Sequence, residues 1–442
     1  MPEDVVISKR TKRELGRVDG NLVMEDATVK AEEPAGTIEV TGTTECRDDC
    51  TFQSSLHTSD LRGRGGDILV EGDLTVDNSI RIRRGELEVS GNLTTRKMEV
   101  DRKVEVGNDM DIESARVGGT LRVEGLSKAS SVNVGGSYKA SGDVEVDEID
   151  VGGTVKVQGS TKSGRIDVGG SFTGEGSVEA GEIDVGGSVK IYSEASVKEI
   201  DVGGSVELAG GEGFGDIKVG GSLKSSKPLG FEQIRVGGSA RISGGKGGSV
   251  NVGGSFHSYG DISFDDIDVG GTVDLDGNAS GRSIDVGGKV RVSGGLELTE
   301  DLKVGGTAIV GGLLRAKAVR VGGKVEADKV EAVDEIRTNT LRTREGAMAQ
   351  YIEIGRRGEV SGPLVAKEVM VRDRGKVEDI YAERVTLRRD CRANNVYAAR
   401  IEIESGCRIR GEVKYTDTLR LDRDVDLEVE PEKTEKLPPP PF

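Results

Sequence analysis

The sequence has no tryptophan, and Phe, Trp and Tyr together make up only 3% of it. A globular core of large side chains is therefore excluded, and any interior must be thin. There are 9 Pro, 2 His and 4 Cys in 442 residues. So few cysteines do not make a disulfide framework and fit a reducing compartment. Long apolar runs are missing too: nothing approaches the roughly 18 residues of a membrane span. The first twenty residues carry Lys9, Arg10, Lys12 and Arg13 with no apolar run after them, so they do not read as a secretory signal. The expectation is a cytoplasmic protein. Positive charge is in deficit, with 61 Lys and Arg against 78 Asp and Glu and a formal net charge of −17. That argues against nucleic-acid binding, because neutralising phosphates needs a basic surface.

What the chain does have is glycine, 67 residues of it, without the three-residue period of collagen. Val-Gly-Gly recurs thirteen times from Val117 to Val321, spaced by 17 residues except for one 16 and one 18. Two residues before the Val the side chain is apolar (Val132, Ile149, Ile166, Ile183), and four after it the same holds (Val155, Phe172, Val189, Val206). The residues between are mostly polar or small, the period-two alternation of a strand with one buried face. A unit of 17 divides into pieces of 6, 6 and 5, beginning for example at Val185, Ile191 and Val197, or at Val202, Leu208 and Phe214. Three short straight pieces joined by tight turns make a triangular coil, and stacked coils make an all-β parallel β-helix. A helical solenoid fails, because a Gly-Gly in every unit costs a helix roughly 2 kcal/mol per repeat. At a coil corner the same glycines are expected to supply positive φ and close backbone stacking. Ser or Thr follows the pair in eleven of thirteen copies, which predicts a stacked hydroxyl line serving the backbone groups of the turn.

The organisation read from these patterns is a disordered segment over 1–19, irregular coils over 20–113, the regular Val-Gly-Gly block over 114–330 and a transition over 331–348. That transition is read as a coil, a second regular β-helical block follows over 349–427, and a disordered proline-rich tail over 428–442. In the second block Ile352-Glu353-Ile354, Val369-Met370-Val371, Val385-Thr386-Leu387 and Ile401-Glu402-Ile403 recur at 17, 16 and 16 residues. Each is followed, six residues after its third member, by Val360, Val377, Ala393 or Ile409. Residues 350–413 resemble the bactofilins, a polymer-forming cytoskeletal family. The nearest match to the family pattern runs from Ile401-Glu402-Ile403 through Cys407 and Ile409 to Gly411-Glu412-Val413. The resemblance implies a right-handed triangular β-helix, filament assembly through the ends without nucleotide, and disordered termini. Two departures stand out: this chain is several times longer than the family core, and Val-Gly-Gly is not the family's usual repeat.

Chemistry-bearing residues are few. Cys46, Cys50 and His57 are three of the four ligands a structural zinc site needs, and no fourth lies near in sequence. Cys391 and Cys407 share one offset in consecutive coils, as do Tyr381 and Tyr397. Asp150, Asp167, Asp184 and Asp201 would form a carboxylate ladder, the one candidate for calcium. The ladder turns to Lys218, Arg235 and Asn251 in later coils, so no metal or cofactor is expected. His57 and His257 are too isolated to serve as a general base, and no enzyme activity is expected. Arginines gather in the last quarter (Arg356, Arg372, Arg388 and Arg408 among them) but interleave with acidic residues. They leave association with an anionic membrane surface open, as the proline-rich tail leaves a docking role open.

The function expected from the sequence is a non-enzymatic, self-assembling filament or scaffold subunit whose partner is a second copy. The alternative is a monomeric β-helical rod presenting a binding surface to a protein or membrane. Leu419, Leu421, Val425, Leu427 and Val429 are the residues expected either to cap the helix or to form its assembly face.

Overall fold

Alternation dictates the architecture. In the strand Val144–Val151 the residues Val144, Val146, Ile149 and Val151 are buried while Glu145, Asp147, Glu148 and Asp150 are exposed. Such a strand presents one apolar face, and the next coil stacks on it in parallel: Val151 pairs with Val168 and Val168 with Val185. The computed structural model describes residues 4–34 and 36–442, and among them every regular element is a strand. The chain forms two units, dividing between Ser226 and Lys227 inside the Val-Gly-Gly block. Each is a parallel β-solenoid. The protein is all-β, as the repeat predicts.

One coil shows how the triangle is built. The strand Val144–Val151 bends at Asp147, which drops out of the register between Val146 with Ser163 and Glu148 with Arg165. Gly152 and Gly153 make the second corner, Thr154–Val157 the third side, and residues 158–160 the third corner. Val185, Ile191 and Val197, where the 6, 6 and 5 division begins its pieces, all point inward and are at most 1% exposed.

The glycine pairs do one of the two things expected of them. The left-handed glycines lie elsewhere, at Gly65, Gly210, Gly211, Gly213, Gly244, Gly245, Gly346, Gly362 and Gly406. What the pair supplies is close approach: a Cβ on Gly152 would sit 2.5 Å from the carbonyl oxygen of Gly135, and one on Gly153 2.3 Å from that of Gly136. The hydroxyl line is likewise corrected. Ser and Thr stack in register, and Thr120 Oγ1 lies 3.3 Å from Ser137 Oγ. The corner amides, however, are satisfied by backbone: Gly152 N–H donates to Val134 O at 2.9 Å and Gly170 N–H to Gly153 O at 2.9 Å. In the second block the corner uses another device, a left-handed residue at Arg357, Arg374, Asp390, Gly406 and Asp424 in successive coils.

A one-layer core has a fixed cross-section, so a large residue in one column needs a small one nearby. Phe172 is fully buried beside Gly174, where the coils before and after carry Val157 and Ile191. A Cβ on Gly247 would lie 2.3 Å from the Phe231 ring, and one on Gly281 2.3 Å from the Phe264 ring. Tyr138 is accommodated by Ala140, at the cost of a hydroxyl that, with Ser127 Oγ, finds no hydrogen-bond partner.

Two segments expected to be disordered are not, in their described residues, and the expected transition coil is continuous with its neighbours. The segment 1–19, expected to be disordered, carries strands in its described part: Val5–Ile7 and Lys12–Leu15 pair with Leu22–Ala31, and Arg17–Val18 with Thr37–Phe52. Its inward residues Ile7, Leu15 and Val18 are too sparse to reveal the coil among exposed Lys9, Arg10, Lys12 and Arg13. The stretch 331–348, expected as a transition coil, is strand throughout and lies within Leu313–Ser361. Buried Thr338 and Thr343 stand where apolar residues would have marked the period, their hydroxyls donating to Gly323 O and Ser361 O, both at 3.1 Å. The tail 428–442 is ordered as well. Glu432–Lys433 pairs with Lys414 and Tyr415, and the Phe442 ring lies 5.0 Å from Lys329 Nζ. Residues 20–113 join the stack of the first unit as longer coils: Leu22 pairs with Thr44, Thr37 with Ser55, Leu74 with Leu93, and the 17-residue step is reached by Val104 with Leu121.

Candidate functional site: the C-terminal face of the second unit

The last full coil places the five candidate residues together. Val413–Leu421 stacks on Val396–Ile403, putting Leu419 over Ile401 and Leu421 over Ile403. Asp426–Leu427 stacks on Arg408–Ile409, putting Leu427 over Ile409 and Val425 over Cys407. The residues beneath are 0 to 2% exposed. Those above are not closed over: Leu421 is 41% and Val429 44% exposed, and Leu419, Val425 and Leu427 are half-buried. Among the described residues, 418–421 and 426–427 have a strand partner on one side only. An apolar triangle bordered by unpaired N–H and C=O groups is a template for another strand layer. It is an open face and not a closed cap.

Ion pairs brace this coil to the one below, Arg400 with Asp417 and Arg408 with Asp426, both at 2.8 Å. The Arg400 guanidinium holds the Asp417 carboxyl below its usual range, and Lys414, with Tyr397, does the same for Glu412. Other arginines of the last quarter are also engaged: Arg389 with Asp373 at 3.3 Å, Arg374 with Asp390 at 3.5 Å, and Arg388 with Glu404.

The remaining sequence candidates separate. Cys46 and Cys50 are buried, and the Cys46 thiol is pushed up by its hydrogen bond to Cys50 and by burial. His57 faces outward, its Nε2 3.0 Å from Asp77 Oδ1, so the three do not form one site. His257 makes the same contact with Asp276 at 2.9 Å. Cys391 and Cys407 stack as expected, the Cys391 N–H donating to Cys407 Sγ at 3.3 Å, and both are free thiols. Tyr381 and Tyr397 pair in register with ring centroids 5.1 Å apart. The aspartate ladder exists from Asp150 to Asp201, flanked by Asn133, whose amide donates to Asp150 at 2.8 Å, and by Lys218. Among the described residues no group of three or more His, Cys, Asp or Glu is placed to hold a metal, and no helix is long and apolar enough to cross a membrane.

A groove of about 1020 Å³ along the first unit went unnoticed in the sequence. It runs beside a column in which Asp111, Lys128, Glu145, Lys162 and Glu179 follow one another in register. Signs alternate at the coil spacing, so neighbours attract where the aspartate ladder repels. The signal is present in the sequence at 17-residue steps, but as alternation of sign and not as identity between repeats. No family model, curated protein or solved structure matches this chain.

Proposed function

We propose that the chain is a structural, bactofilin-like subunit that assembles with a second copy through the C-terminal face of its second unit, without nucleotide. The observation that carries this reading is the unclosed apolar set of Leu419, Leu421, Val425, Leu427 and Val429, the first four of which lie over the buried Ile401, Ile403, Cys407 and Ile409. Burying it against another copy removes apolar surface from water and pairs the free strand edge in one step. For about 500 Å² of apolar surface the gross gain is on the order of 12 kcal/mol before association costs.

The groove of the first unit favours a second reading, a monomer that presents its faces to a partner, as other solenoids do. Negative-stain electron microscopy of the purified chain at about 1 µM, without nucleotide or metal, separates the two. Filaments or sheets of uniform width, abolished by Leu427→Glu with Val429→Glu, are the expected result. Single particles that persist on concentration would leave the second reading, and polymers unchanged by the double substitution would remove this face from the assembly.

A further inference from the structure

Alternation places the second residue of the strand Leu364–Val371 outside the solenoid, and the same holds in the coils around it. In the first unit this outward column is charged and exposed, at Asp111, Lys128, Glu145, Lys162 and Glu179. In the second unit it reads Met348, Val365, Tyr381, Tyr397 and Lys414, in register. Four apolar or aromatic residues in an outward column are out of place unless something covers them. Tyr397 is only 8% exposed although its flanking inward neighbours, Val396 and Ala398, occupy the core side.

The segment after the last coil is placed to be that cover. It starts on this column, with Glu432 paired to Lys414, Lys433 to Tyr415, and Thr434 N–H donating to Tyr415 O at 2.9 Å. It reaches Phe442 beside the other end of the column, where the ring sits near Lys329 Nζ and against Gly346. Gly346 is buried, and a Cβ there would lie 2.4 Å from the Phe442 ring, so the site is shaped to admit it. From Tyr415 to Ala349 is four coil steps, about 19 Å at the ~4.8 Å strand spacing. Residues 434–442 in a polyproline conformation span about 28 Å, enough for the run. Leu437, Pro438 and Phe442 are half-buried, while Pro439, Pro440 and Pro441 are exposed. Glu432 and Lys433 extend the sheet by one short strand, but Pro438 to Pro441 carry no N–H and cannot continue it, so apolar packing is what they have to offer the column.

We infer that the column over Val365, Tyr381 and Tyr397 is a docking site for the proline-rich segment of a second copy, exchanged between chains that meet through their C-terminal faces. The inference rests on the assembly proposed above. The segment leaves the solenoid at Val429, Glu430 and Pro431, at the border of the open face, and all three but Pro431 are exposed. Thirteen residues, 430–442, reach about 40 Å when extended as polyproline, so a facing copy's column lies within range. The contacts made on a partner equal those made on the segment's own chain, so exchange forfeits none of them, and burial of the open face supplies the surplus. Crossing segments would tie the two copies together, and each would fill the other's column.

The test uses the full chain and exploits its four buried thiols, which leave engineered surface cysteines as the reactive ones. Copies carrying Glu345→Cys under one tag are co-expressed with copies carrying Pro441→Cys under another, and a bismaleimide is added. Both positions are exposed, and both variants keep Lys329, Gly346 and Phe442. The expected result is a two-chain product bearing both tags, with a single-chain product only when both substitutions share one chain and Leu427→Glu with Val429→Glu blocks assembly. Single-chain product from assembled chains that carry both substitutions, with no product joining the two tags in the mixed sample, overturns the exchange and leaves the assembly standing. Two-chain product undiminished by the Leu427 and Val429 substitutions keeps the exchange and overturns the C-terminal contact. Absence of cross-linking in either arrangement overturns the docking site itself.

Discussion

Glycine at a coil corner is required here by the carbonyl of the preceding coil and not by φ. Gly153→Ala would drive a methyl to 2.3 Å from Gly136 O, and since backbone is the obstacle, the coils must part. A loss of about 1–3 kcal/mol is expected, seen as faster amide exchange in the coils on either side of residue 153. Arg374, a non-glycine residue at φ 61°, is the opposite case. Arg374→Gly removes the left-handed penalty and only an exposed ion pair with Asp390, so stability is expected to stay level or rise by up to about 1 kcal/mol. Burial pushes the Tyr138 hydroxyl's pKa up, partly offset by Ser127, yet neither hydroxyl has a partner at hydrogen-bonding distance. Tyr138→Phe deletes a buried orphan without changing the ring, and a gain of about 1 kcal/mol in urea unfolding is the expected outcome.

At the scale of a coil, packing is a matter of summed volume across columns. Phe172→Val leaves a cavity and is expected to cost about 2–4 kcal/mol, while Gly174→Val overfills a site whose Cβ would already lie 2.8 Å from Val178 Cγ2. Together they reproduce the Val155 and Val157 pattern of the coil before, so the double variant should recover most of the loss, measured as coupling in a double-mutant cycle. The C-terminal strand Val413–Leu421 carries the charge-dependent element. Glu412 and Asp417 have folded pKa values below their ordinary ones, so their contribution is present above the ordinary range and is lost as pH falls through the folded values. Below about pH 4 this strand should fray before Val396–Ile403, seen as a selective fall in protection factors corrected for intrinsic exchange.

For each of the molecule's two units, a stack in which each coil touches only its neighbours has stability that is a sum of coil and interface contributions. Exposed end coils are then the weakest part, and any contact that buries them raises their stability by mass action. If copies meet through the C-terminal face, the apparent Tm of the second unit should rise with protein concentration, and Leu427→Glu with Val429→Glu should make it concentration-independent. Scanning calorimetry over a hundredfold concentration range checks this.

The sequence by itself determined the coil. A 17-residue period with inward Val and Ile, small corner residues and almost no aromatics admits one economical solution, and the columns follow from it: Cys391 under Cys407, Tyr381 under Tyr397, Asp150 through Asp201, and the apolar set from Leu419 to Val429. Such features are local and repeat, so each copy confirms the others. Tertiary structure alone decided the rest. Whether a glycine is needed for φ or for approach depends on the carbonyl stacked against it, and whether Leu421 and Val429 are covered depends on what lies above them. The coil at 4–19 was hidden because its inward apolar residues are sparse, and the regularity of 331–348 was masked by satisfied threonines at inward positions. The segment from Pro431 to Phe442 has no period, and what places its two ends is contact with Lys414 and Tyr415 at one and with Lys329 and Gly346 at the other.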